Sequence, residues 1–439
     1  MNTLHNKTIH DVIGVGFGPS NLALAIALEE LAQSEGRILD SVFLEKQADY
    51  RWHGNTLVSQ SEMQISFLKD LVSLRNPTSP YSFVNYLHRH GRLVDFINLG
   101  TFYPSRMEFN DYLCWVASHF DDQAHYGQEV LRIEPSENGD YLRVITRDRQ
   151  GREQARHTYA VVVGSGGTPR IVEPFTSLKD DPRVFHHAHY LNRIQTLPCT
   201  RGVPTRIAVV GSGQSAAEAF IDLHDNYPAA SVDMIVRGSA LKPADDTPFV
   251  NDIFSPVYTD LVFDQPPQQR SKLLQEFHNT NYSVVDPQLI ERIYGILYRQ
   301  KVSKNYRQHV LCRQQIDAAC ATEQGIELIL QDLTTGDRCQ HRYDAVILAT
   351  GYDRRSHRDL LAPVEQHLKQ YEVDRHYRAL TSPDLKAAVF LQGFCEASHG
   401  LSDTLLSVLP ARSEEIGRAL YALNASHHVE QSMPALASL

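Results

Sequence analysis

Two glycine-rich turns, about two hundred residues apart, constrain this chain more than any other feature. The first reads Gly14-Val15-Gly16-Phe17-Gly18-Pro19, entered from the apolar pair Val12-Ile13 and followed by a helix-periodic run from Ser20 to Leu28. The second, Gly211-Ser212-Gly213-Gln214-Ser215-Ala216, follows the strand-like Ile207-Ala208-Val209-Val210 and opens a helix from Ala216 to Leu223. A strand–turn–helix passage of this kind needs glycine. The chain bends tightly, and backbone N–H groups must approach a pyrophosphate at a helix N-terminus, where the macrodipole favours negative charge. One such loop is a weak signal; two in this context predict an α/β chain with two Rossmann-like dinucleotide-binding domains and a small further region. Pro19 takes the place of the last glycine of the usual fingerprint without harm, because a first helical position has no intrahelical use for its N–H.

The positions that would read each ribose differ. After the first loop, Ser41-Val42-Phe43-Leu44 ends at Glu45, a carboxylate suited to ribose hydroxyls. The spacing exceeds the usual ~20 residues, and the long helix through Leu31 with a turn at Gly36 absorbs the difference. After the second loop, Val232-Asp233-Met234-Ile235-Val236 ends at Arg237, whose guanidinium suits the extra phosphate of NADPH. FAD is therefore expected at the first site and NADPH at the second. Two further strands end in small-residue turns: Tyr159 to Val163, running into Gly164-Ser165-Gly166-Gly167-Thr168-Pro169, and Tyr343 to Ala349, running into Thr350-Gly351-Tyr352. They resemble the outbound and return crossings of two-dinucleotide flavoproteins, with Thr350 beside the cofactor. The expected division is an FAD domain over 8–170 completed by 350–425, and an NADPH domain over 201–283. A small substrate-binding and connecting region would span 171–200 and 284–349, and a flexible tail 426–439.

A chain of 439 residues exceeds one typical core. With 42 Lys plus Arg against 52 Asp plus Glu, the net charge of −10 gives no electrostatic footprint for nucleic acid. Cys114, Cys199, Cys312, Cys320, Cys339 and Cys395 form no C-x-x-C pair, so free thiols in a reducing compartment are expected. The apolar N-terminal run is broken by its glycines and Pro19, closed by Glu29 and Glu30, and preceded by no basic region. Neither a signal peptide nor a transmembrane segment is expected, and the setting read from the sequence is cytoplasmic.

Longer blocks carry a family resemblance over nearly the whole chain. They are Tyr50-Arg51-Trp52-His53-Gly54, Met63-Gln64-Ile65-Ser66-Phe67-Leu68-Lys69-Asp70-Leu71, Asn76-Pro77-Thr78-Ser79-Pro80, Asn279-Thr280-Asn281-Tyr282, and His399 to Ser407. The chain resembles the N-hydroxylating flavoprotein monooxygenases of siderophore biosynthesis, and among them the bacterial L-ornithine N-hydroxylases, with the L-lysine enzymes next. The resemblance implies NADPH- and dioxygen-dependent hydroxylation of the ornithine side-chain amine through a flavin 4a-hydroperoxide, with no protein nucleophile and no metal. It places Met63 on the isoalloxazine face, Gln64 near its reactive edge, and Trp52, His53 and Arg106 on the cofactor side. Lys69 and Asn251 would hold the amino-acid head group. Asn281 would face the terminal amine, aided by the backbone near Leu405 and by Ser407. Gln214, Ser215 and Tyr282 would contact NADP+.

Other readings compete. A flavin disulfide reductase also pairs two dinucleotide loops but needs a close redox cysteine pair, which this sequence lacks. A nucleotide-sensing protein would have no use for Lys69, Asn251 and Asn281. His186, His187 and His189 suggest a metal cluster, yet their adjacency and the lack of acidic or cysteine partners favour a surface loop. One methylene separates ornithine from lysine, worth ~1–3 kcal/mol in an apolar pocket, so motifs leave that choice, a diamine substrate, and homo-oligomerisation open.

Overall fold

The computed structural model describes residues 9–432. In chain order its strands are β1 (Ile9–Val15), β2 (Ser41–Glu45), β3 (Ala124–Tyr126), β4 (Gln128–Pro135), β5 (Leu142–Asp148), β6 (Glu153–Val163), β7 (Thr168–Pro169), β8 (Val184–His186), β9 (Thr205–Val210) and β10 (Ala230–Val236). They continue as β11 (Gln308–Cys312), β12 (Gln314–Thr322), β13 (Gly325–Asp332), β14 (Arg338–Tyr343), β15 (Ala345–Leu348), β16 (Tyr352–Asp353), β17 (Leu368–Val373), β18 (Ala379–Thr381) and β19 (Ala388–Leu391).

The first unit is built on the order β3-β2-β1-β6-β5-β4, with β19 added beside β6. Strands β3, β2, β1, β6 and β19 run parallel, whereas β4, β5 and the first half of β6 form an antiparallel meander. Parallel strands covered on both faces read as continuous apolar runs, and Val161-Val162-Val163 and Ala388 to Leu391 are buried throughout. The Pro19–Glu35 helix crosses this sheet and packs against the C-terminal Leu409–Ser432 helix, so the chain's two ends share one core.

The second unit does not stop at residue 283. Its parallel sheet has the order β11-β10-β9-β15-β8 and draws β8, β11 and β15 from the segments expected to form a separate connecting region. Alternation along β9 explains the result. Ile207 and Val209 face a helical layer containing the Gln214–Asn226 and Pro287–Ser303 helices, while Ala208 turns to the antiparallel sheet β12-β13-β14 on the other side. Residues 284–349 thus complete a three-layer unit and do not make an independent substrate domain. The two crossings pair with each other as β7 and β16. The Leu409–Ser432 helix continues through the start of the expected 426–439 tail, and 433–439 lie outside the described residues. Among the described residues, no helix is long and apolar enough to cross a membrane.

Candidate functional site between the two dinucleotide units

The first loop leaves β1 and enters its helix with Gly18 as the N-cap and Pro19 at the first helical position. Gly14 lies under Phe43, whose Cε1 would stand 2.8 Å from an added Cβ. Gly16 has φ +82°, and a Cβ there would come within 3.0 Å of the Gly164 carbonyl oxygen. Side chains are thereby excluded on two counts. A Cβ on Gly18 would meet nothing within 4 Å, and no side chain caps the helix, so its first N–H groups face open space. Glu45, 7 % exposed, accepts from the N–H of Phe17 at 2.9 Å and of Gln47 at 2.8 Å. These bonds fix the carboxylate beside the loop, and each oxygen keeps a lone pair.

The second loop is built alike. Gly211 has φ +149°, and a Cβ would press on the Ala349 carbonyl, so this turn is closed by the returning strand β15. Gly213 is the N-cap of the Gln214–Asn226 helix, again without a side-chain cap or an acid in the first turn. Gln214 Nε2 donates to Glu218 Oε1 at 2.9 Å, and its Oε1 accepts from the Asp286 N–H at 2.9 Å. Ser215 follows on the same turn. Arg237 stands exposed just past β10, beyond the loop.

The amino-acid-binding candidates lie on several segments. Lys69 is half-buried, and burial lowers its pKa below the usual lysine value. Its loop is pinned by Asp70, a buried carboxylate that accepts from the N–H groups of Val72, Ser73 and Phe83 at 2.9, 2.6 and 2.8 Å. Met63 is buried nearby, with Gln64 exposed beside it. Asn251 ends a short helix, and its Nδ2 donates to the Asp246 carbonyl at 2.6 Å. Ile253, Val262 and Phe277 from this helical segment pack around Gly400-Leu401, which brings it against the strip leading to Leu405 and Ser407. Asn281 precedes Tyr282, whose hydroxyl donates to Glu396 Oε2 at 2.5 Å. The Asn251, Asn281 and Leu405–Ser407 segments are thus gathered on one side, while no hydrogen bond joins Lys69 to either asparagine among the described residues. Ser407 is 1 % exposed, and its Oγ has no partner.

Three placements depart from the sequence expectations. Arg106 does not stand free for a cofactor. Its two Nη atoms hold Glu218 of the second unit at 2.9 and 2.8 Å, and its Nε donates to the Glu62 carbonyl. Thr350 likewise gives its hydroxyl to the Arg170 carbonyl, tying the two crossings together. His186 and His187 are buried, not on a surface loop, with only His189 exposed. His186 Nε2 donates to the Gly351 carbonyl at 3.0 Å, and its Nδ1 accepts from the Ala188 N–H. His187 stacks on Tyr190. Burial lowers the His186 pKa to about 4 and that of His187 to about 3, so both are neutral at pH 7. His53, against Trp52 and at φ +54°, is lowered to about 4 by burial and then by Arg106 and Arg354.

Sequence reasoning also missed the clamp behind Ser407. Arg412 and Asp403 form a fully buried ion pair at 2.9 Å; Arg412 reaches Ser20 Oγ at 3.0 Å, and Asp403 accepts from the Cys395 N–H at 2.7 Å. Arg412 therefore ties the start of the first-loop helix to the Leu401–Ser407 strip. Long-range pairs of this kind leave no local periodicity to read.

Comparison with known proteins agrees with this geometry. The family model described as L-lysine 6-monooxygenase/L-ornithine 5-monooxygenase matches residues 8–354. The chain is 62% identical over 416 residues to the L-ornithine N(5)-monooxygenase of Pseudomonas aeruginosa, covering 94% of each. Ornithine hydroxylase (PvdA) from P. aeruginosa superposes with a TM-score of 0.91 at 61% identity, covering 95% of this chain and 100% of that one. The Kutzneria ornithine N-hydroxylase KtzI, solved with reduced FAD, NADP+ and L-ornithine, gives a TM-score of 0.89 at 36% identity, covering 95% of this chain and 100% of that one. The chain belongs to the L-lysine 6-monooxygenase/L-ornithine 5-monooxygenase family.

Proposed function

We propose that this protein is an L-ornithine N5-monooxygenase that uses FAD, NADPH and dioxygen to supply hydroxyornithine for a hydroxamate siderophore. It would act in the cytoplasm, where its thiols stay reduced. The observation that carries the reading is a fixed acid, Glu45, at the ribose position of one open loop and an exposed base, Arg237, at that of the other. The residues fit both groups. Two uncapped helix N-termini, at Gly18 and Gly213, offer N–H groups to pyrophosphates, and the partnerless Ser407 Oγ offers a hydrogen bond inside the site. When bound, FAD reduced by NADPH activates dioxygen so that one oxygen atom is passed to the substrate amine.

The chain's own work is binding and exclusion. Lys69 pairs with the substrate carboxylate as a charge-assisted partner. Asn251 and Asn281 orient the amino acid, with the Leu405 backbone beside the terminal amine. Met63 and Gln64 line the flavin side, and Gln214, Ser215 and Tyr282 hold NADP+, with the Tyr282–Glu396 bond closing the second unit onto the first. His53 and Trp52 supply neutral, partly apolar walls that keep water out.

The test is product formation from ornithine, lysine and a plain diamine in parallel, with NADPH consumption followed in each. Hydroxylamine product tightly coupled to NADPH use with ornithine alone is expected. Coupled turnover with lysine or the diamine, and only futile NADPH consumption with ornithine, would overturn the assignment.

A further inference from the structure

A polar cavity of about 170 Å³ lies on the second unit, between the C-terminal turn of the Gln214–Asn226 helix and the first residue of β11. The second glycine loop sits at the opposite end of that unit, where β9 finishes. No carboxylate lines the cavity. Its lining takes Arg299, Gln300, Ser303, Asn305 and Arg307 from one stretch, 299–307, which carries no acid on a chain of net charge −10. Arg299 has no ion pair among the described residues. Arg307 gives its Nη atoms to the carbonyls of His224, Tyr227 and Ala230 at 3.0, 2.9 and 2.9 Å, so no carboxylate neutralises it. The nearest acid in sequence, Asp225, is engaged with Arg292 at 2.6 Å.

Gln308 is 0 % exposed, yet neither its amide nitrogen nor its amide oxygen has a hydrogen-bond partner. Its backbone is held separately: Gln300 Oε1 accepts from the Gln308 N–H at 2.7 Å, and Gln300 Nε2 donates to the Gln308 carbonyl at 2.8 Å. The side-chain amide lies beside the His224 imidazole. Leaving both amide atoms unmet in a buried place is costly, and a native cavity is expected to satisfy them.

We propose that this cavity is a binding site for inorganic hydrogen phosphate. Arg299 and Arg307 supply the positive field, with Ser303 and Asn305 as further polar contacts. The orphaned amide selects the ion. Its nitrogen donates to a phosphoryl oxygen, and its oxygen accepts from the P–O–H of hydrogen phosphate, a proton that sulfate lacks at neutral pH.

The test is isothermal titration of the FAD-loaded enzyme with inorganic phosphate, sulfate and glycerol 3-phosphate. Excess NADP+ is present throughout to fill the nucleotide site. Saturable phosphate binding is expected, at least tenfold tighter than sulfate and weakened about tenfold or more by Arg299→Ala, an exposed position whose loss leaves the fold intact. Gln308→Leu should abolish the preference for phosphate over sulfate. Glycerol 3-phosphate, a monoester that has largely lost its P–O–H proton at neutral pH, should bind weakly as sulfate does, and binding tighter than that of inorganic phosphate would overturn the selection. Absence of saturable binding, equal affinity for sulfate, or unchanged affinity in Arg299→Ala would each overturn the proposal.

Discussion

Replacing Arg106 by alanine would leave the Glu218 carboxylate, whose side chain is 2% exposed, without its cation. Cutting one partner from a buried pair costs about 3–5 kcal/mol because a charge is stranded. Arg106 is itself 16% exposed and Gln214 keeps its 2.9 Å bond to Glu218, so the lower end, about 3 kcal/mol, applies. For a unit of this size that lowers the unfolding midpoint by roughly 6–12 °C. The loss depends on pH. Burial already raises the Glu218 pKa, against Arg106, which lowers it, so removing Arg106 raises it further. A carboxyl whose folded pKa lies above its unfolded value contributes stability at low pH and loses it as pH rises through the folded pKa. The deficit of Arg106→Ala relative to wild type should therefore be small near pH 5 and grow toward pH 8. Adding Glu218→Gln removes the stranded charge and should recover most of the midpoint at pH 8. Thermal unfolding of the FAD-loaded protein at both pH values reads all three. A midpoint equal to wild type at pH 8, a deficit independent of pH, or a double variant less stable than Arg106→Ala would refute the reasoning.

Arg237→Ala should raise the Michaelis constant for NADPH about 10–100-fold, the worth of a charge-assisted bond, while leaving that for NADH nearly unchanged; an unaltered preference would move the phosphate site elsewhere. Gly16→Ala forces a side chain into φ +82° and against the Gly164 carbonyl, a strain of about 1–2 kcal/mol before any contact with cofactor. That variant should purify folded, by circular dichroism, but largely colourless, and full flavin content would contradict the loop assignment. Lys69→Ala should weaken ornithine binding about 10–100-fold yet still oxidise NADPH, releasing hydrogen peroxide in place of product. Normal coupling at ordinary ornithine concentrations would return Lys69 to the solvated surface.

What the sequence revealed of this fold is what short-range chemistry dictates. Gly16 and Gly211 announced their turns because only glycine takes those φ values under a neighbouring carbonyl, and Pro19 marked the first helical position. The extent of the second unit was hidden, since β8, β11 and β15 are short apolar runs whose partners lie far away along the chain. The same distance concealed the bond from His186 to the Gly351 carbonyl, and adjacency alone made these histidines resemble a surface loop. Arg106 carried a family-like context but no sign of its partner, 112 residues downstream. Glu396, Asp403 and Arg412 sat inside or beside a recognisable block, yet nothing local showed that they latch its segment to Tyr282 and Ser20.

The paired crossings β7 and β16 make the second unit an insertion within the first, and that order matters during synthesis. Once Leu348 has left the ribosome, every strand of the inserted parallel sheet exists. The host sheet at that moment still lacks β19 beside β6, and the Pro19–Glu35 helix still lacks the Leu409–Ser432 helix against it. Domains emerging from the ribosome ordinarily fold from the N-terminus onward. Here the guest can close while its host still waits with the 160–163 edge of β6 unpaired.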